Sequence, residues 1–336
     1  MPFRQYRFRN PWSGPSTHTR VGSLLRWILI ERPRNERRRT PDRATFAAQH
    51  PPVTPAFPSP HAAADALVLT WVGHSTFLIQ IGGRNILTDP VWGERASPVS
   101  WMGPRRWRPP AVDFAALPPI DAVLISHDHY DHLDRPTVHR VIERYPDARW
   151  FCPAGVDRWL RARGARDVVA RDWWGSTDWP DGDGAVTCVP ARHFSGRRLD
   201  GRDTTLWCGW VVRSGGHAVL YAGDTGRHSE FGEIGRRLGP FDAVLLPIGA
   251  YDPEWFMGPV HMNPEDAVAV YGDVVASTGA SAGASRPLFV GMHWGTFQLT
   301  DEPMDEPPSR TRAAWADAGR PADGLWIPRH GETRRV

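Results

Sequence analysis

The stretch AVLISHDHYDH, residues 122–132, joins a short apolar run to a dense cluster of imidazoles and carboxylates. Its first five residues form a short apolar run of the kind that makes a buried strand. The imidazoles and carboxylates that follow are ligands that zinc, iron and manganese accept. A tight loop after a strand can direct His127 and His129 at one metal ion, with Asp131 and His132 offset towards a second.

Three further candidates follow other apolar runs. His193 comes after VTCVPAR, Asp224 after VLYAG and His293 after LFVGM. Sheets of α/β proteins commonly place functional residues just past their strand ends, so we expect these side chains to share one rim with the first stretch. Asp224 is the natural bridge between two metal ions, because one carboxylate can give an oxygen to each.

The chain is rich in predicted strands from residue 67 onward. Gly82-Gly83 separates two β-type runs, which predicts a hairpin. Asn263-Pro264 predicts a helix start, with Asn as the cap and Pro at the first helical position. Further strands are predicted at Ala185–Val189, Leu206–Val212, Ala218–Ala222, Ala243–Pro247 and Leu288–Met292. Hairpins first, then strands interleaved with helices, predict an α/β sandwich.

Composition excludes several classes of protein. The chain has 336 residues, 41% apolar and 23% charged, which argues against disorder, collagen and coiled coil. No apolar run is long enough to span a bilayer, and the first twenty residues lack the apolar block of a secretory signal. Three cysteines without a C-x-x-C pair argue against a disulfide framework and favour a reducing, cytoplasmic location.

The amino terminus is strongly basic. Residues 1–43 carry eleven Arg against three acidic residues, a net charge of +8. They include the short apolar stretch VGSLLRWILI, residues 21–30, which could lie in a membrane interface or pack on the domain's own core. Both alternatives stay open. We predict a basic arm and Pro-rich linker at residues 1–65 and a catalytic domain at 66–336. If the apolar stretch lies in a membrane interface, the protein would be peripheral on the inner face of that membrane.

The chain carries an HxHxDH motif, then His193, then Gly223-Asp224-Thr225 and finally His293. This order of motifs resembles the metallo-β-lactamase superfamily. A closer resemblance is to the N-acylphosphatidylethanolamine-hydrolysing phospholipase D family. It extends from about residue 8 to the carboxyl terminus, and IGAY and HWGTF are its most specific segments. The segments that carry it include FRNPW (8–12), WVGHST (71–76), LTDP (87–90), DWW (172–174), AGDTG (222–226), IGAY (248–251) and HWGTF (293–297).

This resemblance implies a four-layered αββα sandwich that binds two zinc ions. It implies that His127, His129 and His193 hold one zinc, that Asp131, His132 and His293 hold the other, and that Asp224 bridges them. It places Tyr130 and His261 at the phospholipid head group, with Asp131, Asp224 and His261 as the catalytic residues. The linker at 31–65 and the Ser/Gly/Ala-rich loop at 276–285 depart from the family pattern.

The implied reaction is hydrolysis of a phosphodiester to phosphatidic acid and an N-acylethanolamine. A zinc pair lowers the pKa of a shared water towards ~7 and neutralises phosphate charge, which suits attack on phosphorus. The implied partners are a phospholipid and a membrane surface, and a homodimer stays open. We expect His261 to be neutral, because it lies just before a helix amino terminus and close to the metals. We expect His74 to support the site rather than react.

Two other classes of function remain. One is another hydrolase on the same site: a lactonase, another phosphodiesterase or a nuclease. The basic residues concentrate in the amino-terminal arm and not around the metal motifs, so a nucleic-acid partner is not expected. The other class is a non-hydrolytic membrane-binding protein or a di-iron redox protein. The complete set of seven metal-type residues argues against the former, and His129, at a position where redox members of the superfamily carry Glu, argues against the latter.

Overall fold

The structure, a computed structural model, describes residues 7–12, 22, 26, 27, 30, 40–197, 201–278 and 286–336. Most of the apolar stretch at 21–30 and residues 279–285 of the predicted surface loop therefore lie outside the described residues.

Two seven-stranded mixed sheets form the body of the protein. In each sheet, three antiparallel pairings at one side are followed by three parallel pairings at the other. The first sheet has the order β14-β1-β2-β3-β4-β5-β6 and the second β13-β12-β11-β10-β9-β8-β7. The strands are β1 Leu67–Gly73, β2 Thr76–Ile81, β3 Arg84–Thr88, β4 Ala122–Leu124, β5 Arg149–Pro153, β6 Asp167–Arg171, β7 Ser176–Asp178, β8 Ala185–Val189, β9 Gly209–Ser214, β10 His217–Tyr221, β11 Ala243–Pro247, β12 Leu288–Met292, β13 Leu325–Trp326 and β14 Thr333–Arg335.

The predicted hairpin is the β2–β3 pair. Gly82 and Gly83 connect the strands with φ angles of +58° and +70°, a conformation that glycine adopts without steric cost. The two strands pair in register from Ile81 opposite Arg84 to Leu78 opposite Leu87. The turn therefore sets the register, which fixes the face that each apolar side chain occupies.

Seven α-helices are described from residue 40 onward. They are α1 Arg43–Gln49, α2 Arg135–Arg144, α3 Val156–Arg161, α4 Glu230–Leu238, α5 Glu254–Met257, α6 Pro264–Ala276 and α7 Glu306–Asp317. The predicted cap of α6 is present: the side chain of Asn263 accepts a hydrogen bond from the backbone N–H of Asp266. Asp134 caps α2 in the same way, by accepting from the backbone N–H of Thr137.

Alternation along the strands creates the layers. On β2, Phe77 and Ile79 belong to the core between the sheets, whereas Leu78 faces the other side. That outer core is completed by apolar residues of α2 and α3. Apolar residues of α4, α6 and α7 lie on the second sheet. Because strand side chains point alternately to the two faces, each sheet has one face on its partner and one on helices. The predicted four-layered αββα sandwich is confirmed.

One predicted strand begins later than expected, and several strands were not predicted. The strand predicted at Leu206–Val212 begins at Gly209, because the indole of Trp207 and the loop around it tie down the preceding residues instead. Strands β5 and β6 carry Arg or Asp at their ends. These polar residues hide the short strands from a search for apolar runs.

Parts of the predicted arm and linker contact the catalytic domain. Phe46 of α1 is fully buried in the main core. Trp27 is buried too, and its indole N–H donates to Asp301 at 2.6 Å. The side-chain amide of Asn85 donates to the carbonyl of Pro60. Within the described residues, none of the helices has the length and apolar character needed to cross a bilayer.

Candidate metal centre

The ends of several strands converge at one edge of the sandwich. The loop after β4 carries His127, His129, Asp131 and His132, and the turn between β1 and β2 carries His74. His193, Asp224 and His293 follow β8, β10 and β12. The structure therefore brings together all seven residues that the sequence nominated as metal ligands.

Three imidazole nitrogens form the first group. Nδ1 of His129 lies 2.8 Å from Nε2 of His127 and 3.2 Å from Nε2 of His193. A tetrahedral zinc ion with Zn–N bonds of roughly 2.05 Å would separate its ligand atoms by about 3.3 Å. The three nitrogens are thus spaced as the ligands of one ion.

A second group lies beside the first. Oδ2 of Asp131 is 3.4 Å from Nε2 of His132 and 3.6 Å from Nε2 of His293. These distances again match the spacing of tetrahedral ligands. The group also contains His74, which sequence reasoning placed outside the ligand set.

Asp224 lies between the two groups. Its Oδ2 is 3.0 Å from Nε2 of His132 and 3.1 Å from Nε2 of His293, and 3.9 Å from Nε2 of both His127 and His193. Its other oxygen, Oδ1, is buried without a hydrogen-bond partner, as are Nε2 of His132 and Nε2 of His293. Buried polar atoms without partners are costly. Their grouping among other possible ligand atoms fits a bound cation, so the residues present suit a divalent metal centre.

Hydrogen bonds from outside fix the orientation of the imidazoles. Nδ1 of His193 donates to the carbonyl of Val260 at 3.0 Å. Nδ1 of His127 lies 2.9 Å from the hydroxyl of Ser126, which itself donates to Asp89. In both rings the proton is held on Nδ1, and the lone pair of Nε2 is directed into the site.

Asp89 is the functional residue that sequence reasoning missed. Its Oδ2 lies 2.7 Å from Nδ1 of His132 and 2.5 Å from the hydroxyls of Ser126 and Tyr221, and its Oδ1 accepts the backbone N–H of Ser126. A carboxylate behind a metal-ligating histidine is a common arrangement that fixes the ring. Its signal was present as LTDP, but a single Asp after a strand does not reveal which histidine it faces.

His74 supports the site, as the sequence predicted. It is buried, and its Nε2 lies 3.0 Å from Oδ2 of Asp131. Burial, helped by nearby His293 and opposed by Asp131, lowers the pKa of His74 to about 3. The neutral ring therefore donates a hydrogen bond that holds the Asp131 carboxylate.

Charge in the site is divided between the two groups. Burial lowers the pKa of His193 to about 3 and that of His129 to about 4, so these rings are neutral and carry a free lone pair. Burial also disfavours charge on His293, but Asp224 and Asp131 outweigh it and raise its pKa to about 9. The same two carboxylates would favour a divalent cation over the proton on His293.

The two residues predicted to meet the head group occupy different places. His261 lies within the site, with Nε2 3.9 Å from Oδ2 of Asp224 and Nδ1 buried without a partner. Its pKa is lowered to about 3, chiefly by burial. The predicted neutral ring is confirmed, although burial rather than the helix end is the main cause. Tyr130 lies at the rim, where its hydroxyl donates to the carbonyl of Arg197 at 2.7 Å.

Comparison with known proteins places this geometry in context. The β-lactamase superfamily domain matches residues 84–286. An uncharacterized protein of Mycobacterium tuberculosis is 45% identical over 280 residues, covering 80% of this chain and 71% of its own length. N-acyl-phosphatidylethanolamine-hydrolyzing phospholipase D 1 of Caenorhabditis elegans is 39% identical over 241 residues, covering 69% of this chain and 65% of its own.

Among solved structures, Igni18, a metallo hydrolase of Ignicoccus hospitalis, superimposes with a TM-score of 0.58 at 21% identity. The match covers 81% of this chain and 98% of that protein. At this identity the likeness concerns the fold.

Proposed function

The chain belongs to the metallo-β-lactamase superfamily and is a metal-dependent hydrolase; from this premise we propose that it is a two-zinc phosphodiesterase of the phospholipase D type. Its proposed substrate is an N-acylphosphatidylethanolamine-like phospholipid. The observation that carries the proposal is the position of Asp224 Oδ2, 3.0–3.1 Å from two imidazoles of one group and 3.9 Å from two of the other. A single carboxylate shared in this way suits a pair of ions.

Zinc bound here would supply Lewis acidity towards phosphate oxygens and a water of lowered pKa. In the hydrolysis, the water oxygen bonds to phosphorus, the bond from phosphorus to the ethanolamine oxygen breaks, and that oxygen takes up a proton. Neutral His261 would donate a hydrogen bond to a phosphate oxygen, because its ring carries one N–H and lies inside the site. His74 keeps Asp131 in place during this step.

A cavity of about 860 Å³ begins at Tyr130 and supports an anionic lipid as the substrate. Arg95, Arg135, Arg163 and Arg197 line it, against two acidic side chains, and Trp159 contributes an aromatic wall. The expectation that basic residues are absent from the surroundings of the metal motifs was therefore wrong. The guanidinium of Arg197 lies 4.2 Å from the ring centre of Tyr130. A basic, partly apolar cavity lined by Tyr130, which lies between His129 and Asp131 in the sequence, suits a phosphate group that carries apolar chains.

A membrane surface is the proposed source of this lipid. Trp179 is buried in the core, whereas Trp101 is 73% exposed. Met102 beside it is 57% exposed. Both follow directly on Ser97–Ser100, which line the cavity. Amphipathic aromatic side chains favour the membrane interface, so this loop would present the cavity to the bilayer.

Product analysis in isotopically labelled water tests the proposal. Zinc-loaded protein is incubated with N-acylphosphatidylethanolamine in H₂¹⁸O, and both products are followed by mass spectrometry. We expect one ¹⁸O in the phosphate of phosphatidic acid and none in the N-acylethanolamine. Label in the alcohol would contradict attack on phosphorus. Turnover confined to a parallel lactone, DNA or bis(p-nitrophenyl) phosphate sample would instead favour another hydrolase of the superfamily.

A further inference from the structure

The segment Phe8–Trp12, which we call the N-terminal strap, lies across the loop that carries His193. The backbone N–H of Phe8 donates to the carbonyl of Asp203 at 2.8 Å. The ring of Trp12 stacks on His228, with 4.3 Å between ring centres. The strap therefore contacts two segments that follow His193 in the sequence, although it belongs to the predicted arm.

Asn10 lies at the centre of the strap and uses both ends of its amide. Nδ2 donates to the carbonyl of His193 at 2.8 Å, and Oδ1 accepts the indole N–H of Trp207 at 3.0 Å. An indole nitrogen can only donate, so the orientation of the amide is fixed. The same indole N–H lies 2.9 Å from the carbonyl of Ala191. One side chain thus ties the backbone of His193 to the other end of its loop.

His193 is constrained at two points. Its Nδ1 donates to the carbonyl of Val260, and its own carbonyl accepts from Asn10. Together these bonds determine where Nε2 lies relative to Nδ1 of His129, 3.2 Å away. The residue itself lies in the loop after β8, outside the paired strands, and its neighbour Arg192 forms an isolated bridge with Gly226.

We propose that Asn10 is a positioning residue for the metal group of His127, His129 and His193, and that the N-terminal strap is a working part of the metal centre. The inference rests on the proposed metal pair. It assigns the strap a role independent of any membrane contact made by the rest of the arm. A substitution at Asn10 should weaken one ion and spare the other, because no ligand of the second group contacts Asn10 among the hydrogen bonds of the described residues.

The test measures Co²⁺ binding by the full chain, through chelator competition and the visible absorption of the bound ions. Asn10→Ala removes both hydrogen bonds. Asn10→Asp keeps the size and the acceptor for Trp207 but puts a carboxylate oxygen against the carbonyl of His193. In both variants we expect roughly tenfold weaker binding of one ion, a changed absorption band for that ion, and an unchanged second affinity.

Gln80→Ala is the matched control. Gln80 is a buried amide that donates to the carbonyl of Pro58 and to Asn85, at the end of β2 away from His74. The Gln80→Ala substitution should lower the free energy of unfolding and leave both cobalt affinities unchanged. Circular dichroism confirms that each variant is folded, and Asn10→Asp serves as the test if Asn10→Ala is not.

Wild-type cobalt affinities in folded Asn10→Asp would overturn this inference but leave the proposed function standing. Equal weakening of both ions, or the same change in Gln80→Ala, would also overturn it, because that outcome reports general loosening of the fold. A wild-type chain that binds fewer than two ions would contradict the proposed function as well. The readout does not depend on which ester the protein hydrolyses.

Discussion

Oδ2 of Asp89 lies 2.7 Å from Nδ1 of His132, and Nε2 of the same ring lies 3.0 Å from Oδ2 of Asp224. One imidazole thus connects a carboxylate at the end of β3 with the carboxylate shared by both metal groups. The connection crosses from the first sheet to the second, since Asp224 follows β10. The geometry of the centre therefore depends on how the two sheets meet.

Asp89→Asn should weaken the ion held by Asp131, His132 and His293 by roughly 10–100-fold, the usual effect of losing a partner behind a metal-ligating histidine. Tyr221→Phe removes one donor to the same oxygen but keeps the carboxylate, so its effect should be smaller. Chelator competition measures both. Unchanged affinity in folded Asp89→Asn would show that the bond to His132 does not control metal binding.

Asp224→Ala should abolish binding of at least one ion and nearly all turnover, because its Oδ2 faces both groups and its Oδ1 has no other partner. Elemental analysis and the lipid assay measure the two effects. Asp147→Ala, which removes a carboxylate whose side chain is almost fully exposed, is the control. Two ions and full activity in the Asp224 variant would exclude the shared-carboxylate arrangement.

His261→Ala should keep both ions and the fold but lose turnover on the order of 10²–10³, the size seen when one preorganised donor is removed. Metal content, circular dichroism and kcat are measured on the same sample. A parallel loss of zinc would make His261 a ligand or a support for one. Wild-type turnover in the metal-loaded variant would indicate a purely structural histidine.

His330 should make the metal-free fold sensitive to acid. Burial, with help from Arg108 and Arg106, lowers its pKa from 6.5 to about 3. Below pH 6.5 His330 binds a proton in the unfolded chain but not in the folded chain. Its contribution to the free energy of unfolding therefore falls as the pH falls towards 3 and is constant above about pH 7. The slope from this group is about 1.4 kcal/mol per pH unit.

Urea unfolding in a chelator at pH 7.5 and 5.5 measures this contribution. Between pH 7.5 and 5.5 the free energy of unfolding should fall by about 1.4 kcal/mol less in His330→Gln than in the wild type. Other buried neutral histidines, such as His228, titrate in both proteins and cancel in the comparison. Identical pH dependence in the variant would mean that His330 is protonated, or free to become so, in the folded state.

Trp101→Ser should weaken binding to phospholipid vesicles roughly tenfold, the equivalent of about 1.4 kcal/mol of lost apolar contact. Trp255→Ser is the control, since Trp255 is 50% exposed but does not line the cavity at Tyr130. Co-sedimentation of the folded variants reports both. Equal losses, or none, would remove the loop from the proposed membrane contact.

The α/β sandwich, its hairpin and the seven metal-type residues could be predicted from the amino-acid sequence. These rest on local rules: glycine at a turn that needs positive φ, Asn-Pro at a helix start, and polar ligands placed directly after apolar strands. Strands such as Ala185–Val189 and Leu288–Met292 were predicted to the residue because their apolar runs end in clear breaks.

The side chains that support those residues became visible in the folded structure. Asp89, His74 and Asn10 contact the centre across 43, 57 and 183 residues of sequence. No local pattern records which ring a carboxylate or an amide faces, because that depends on how strands from two sheets converge. The same is true of Trp101 and Trp179: both lie in polar, turn-rich loops, yet the packing of the sheets leaves one exposed and buries the other.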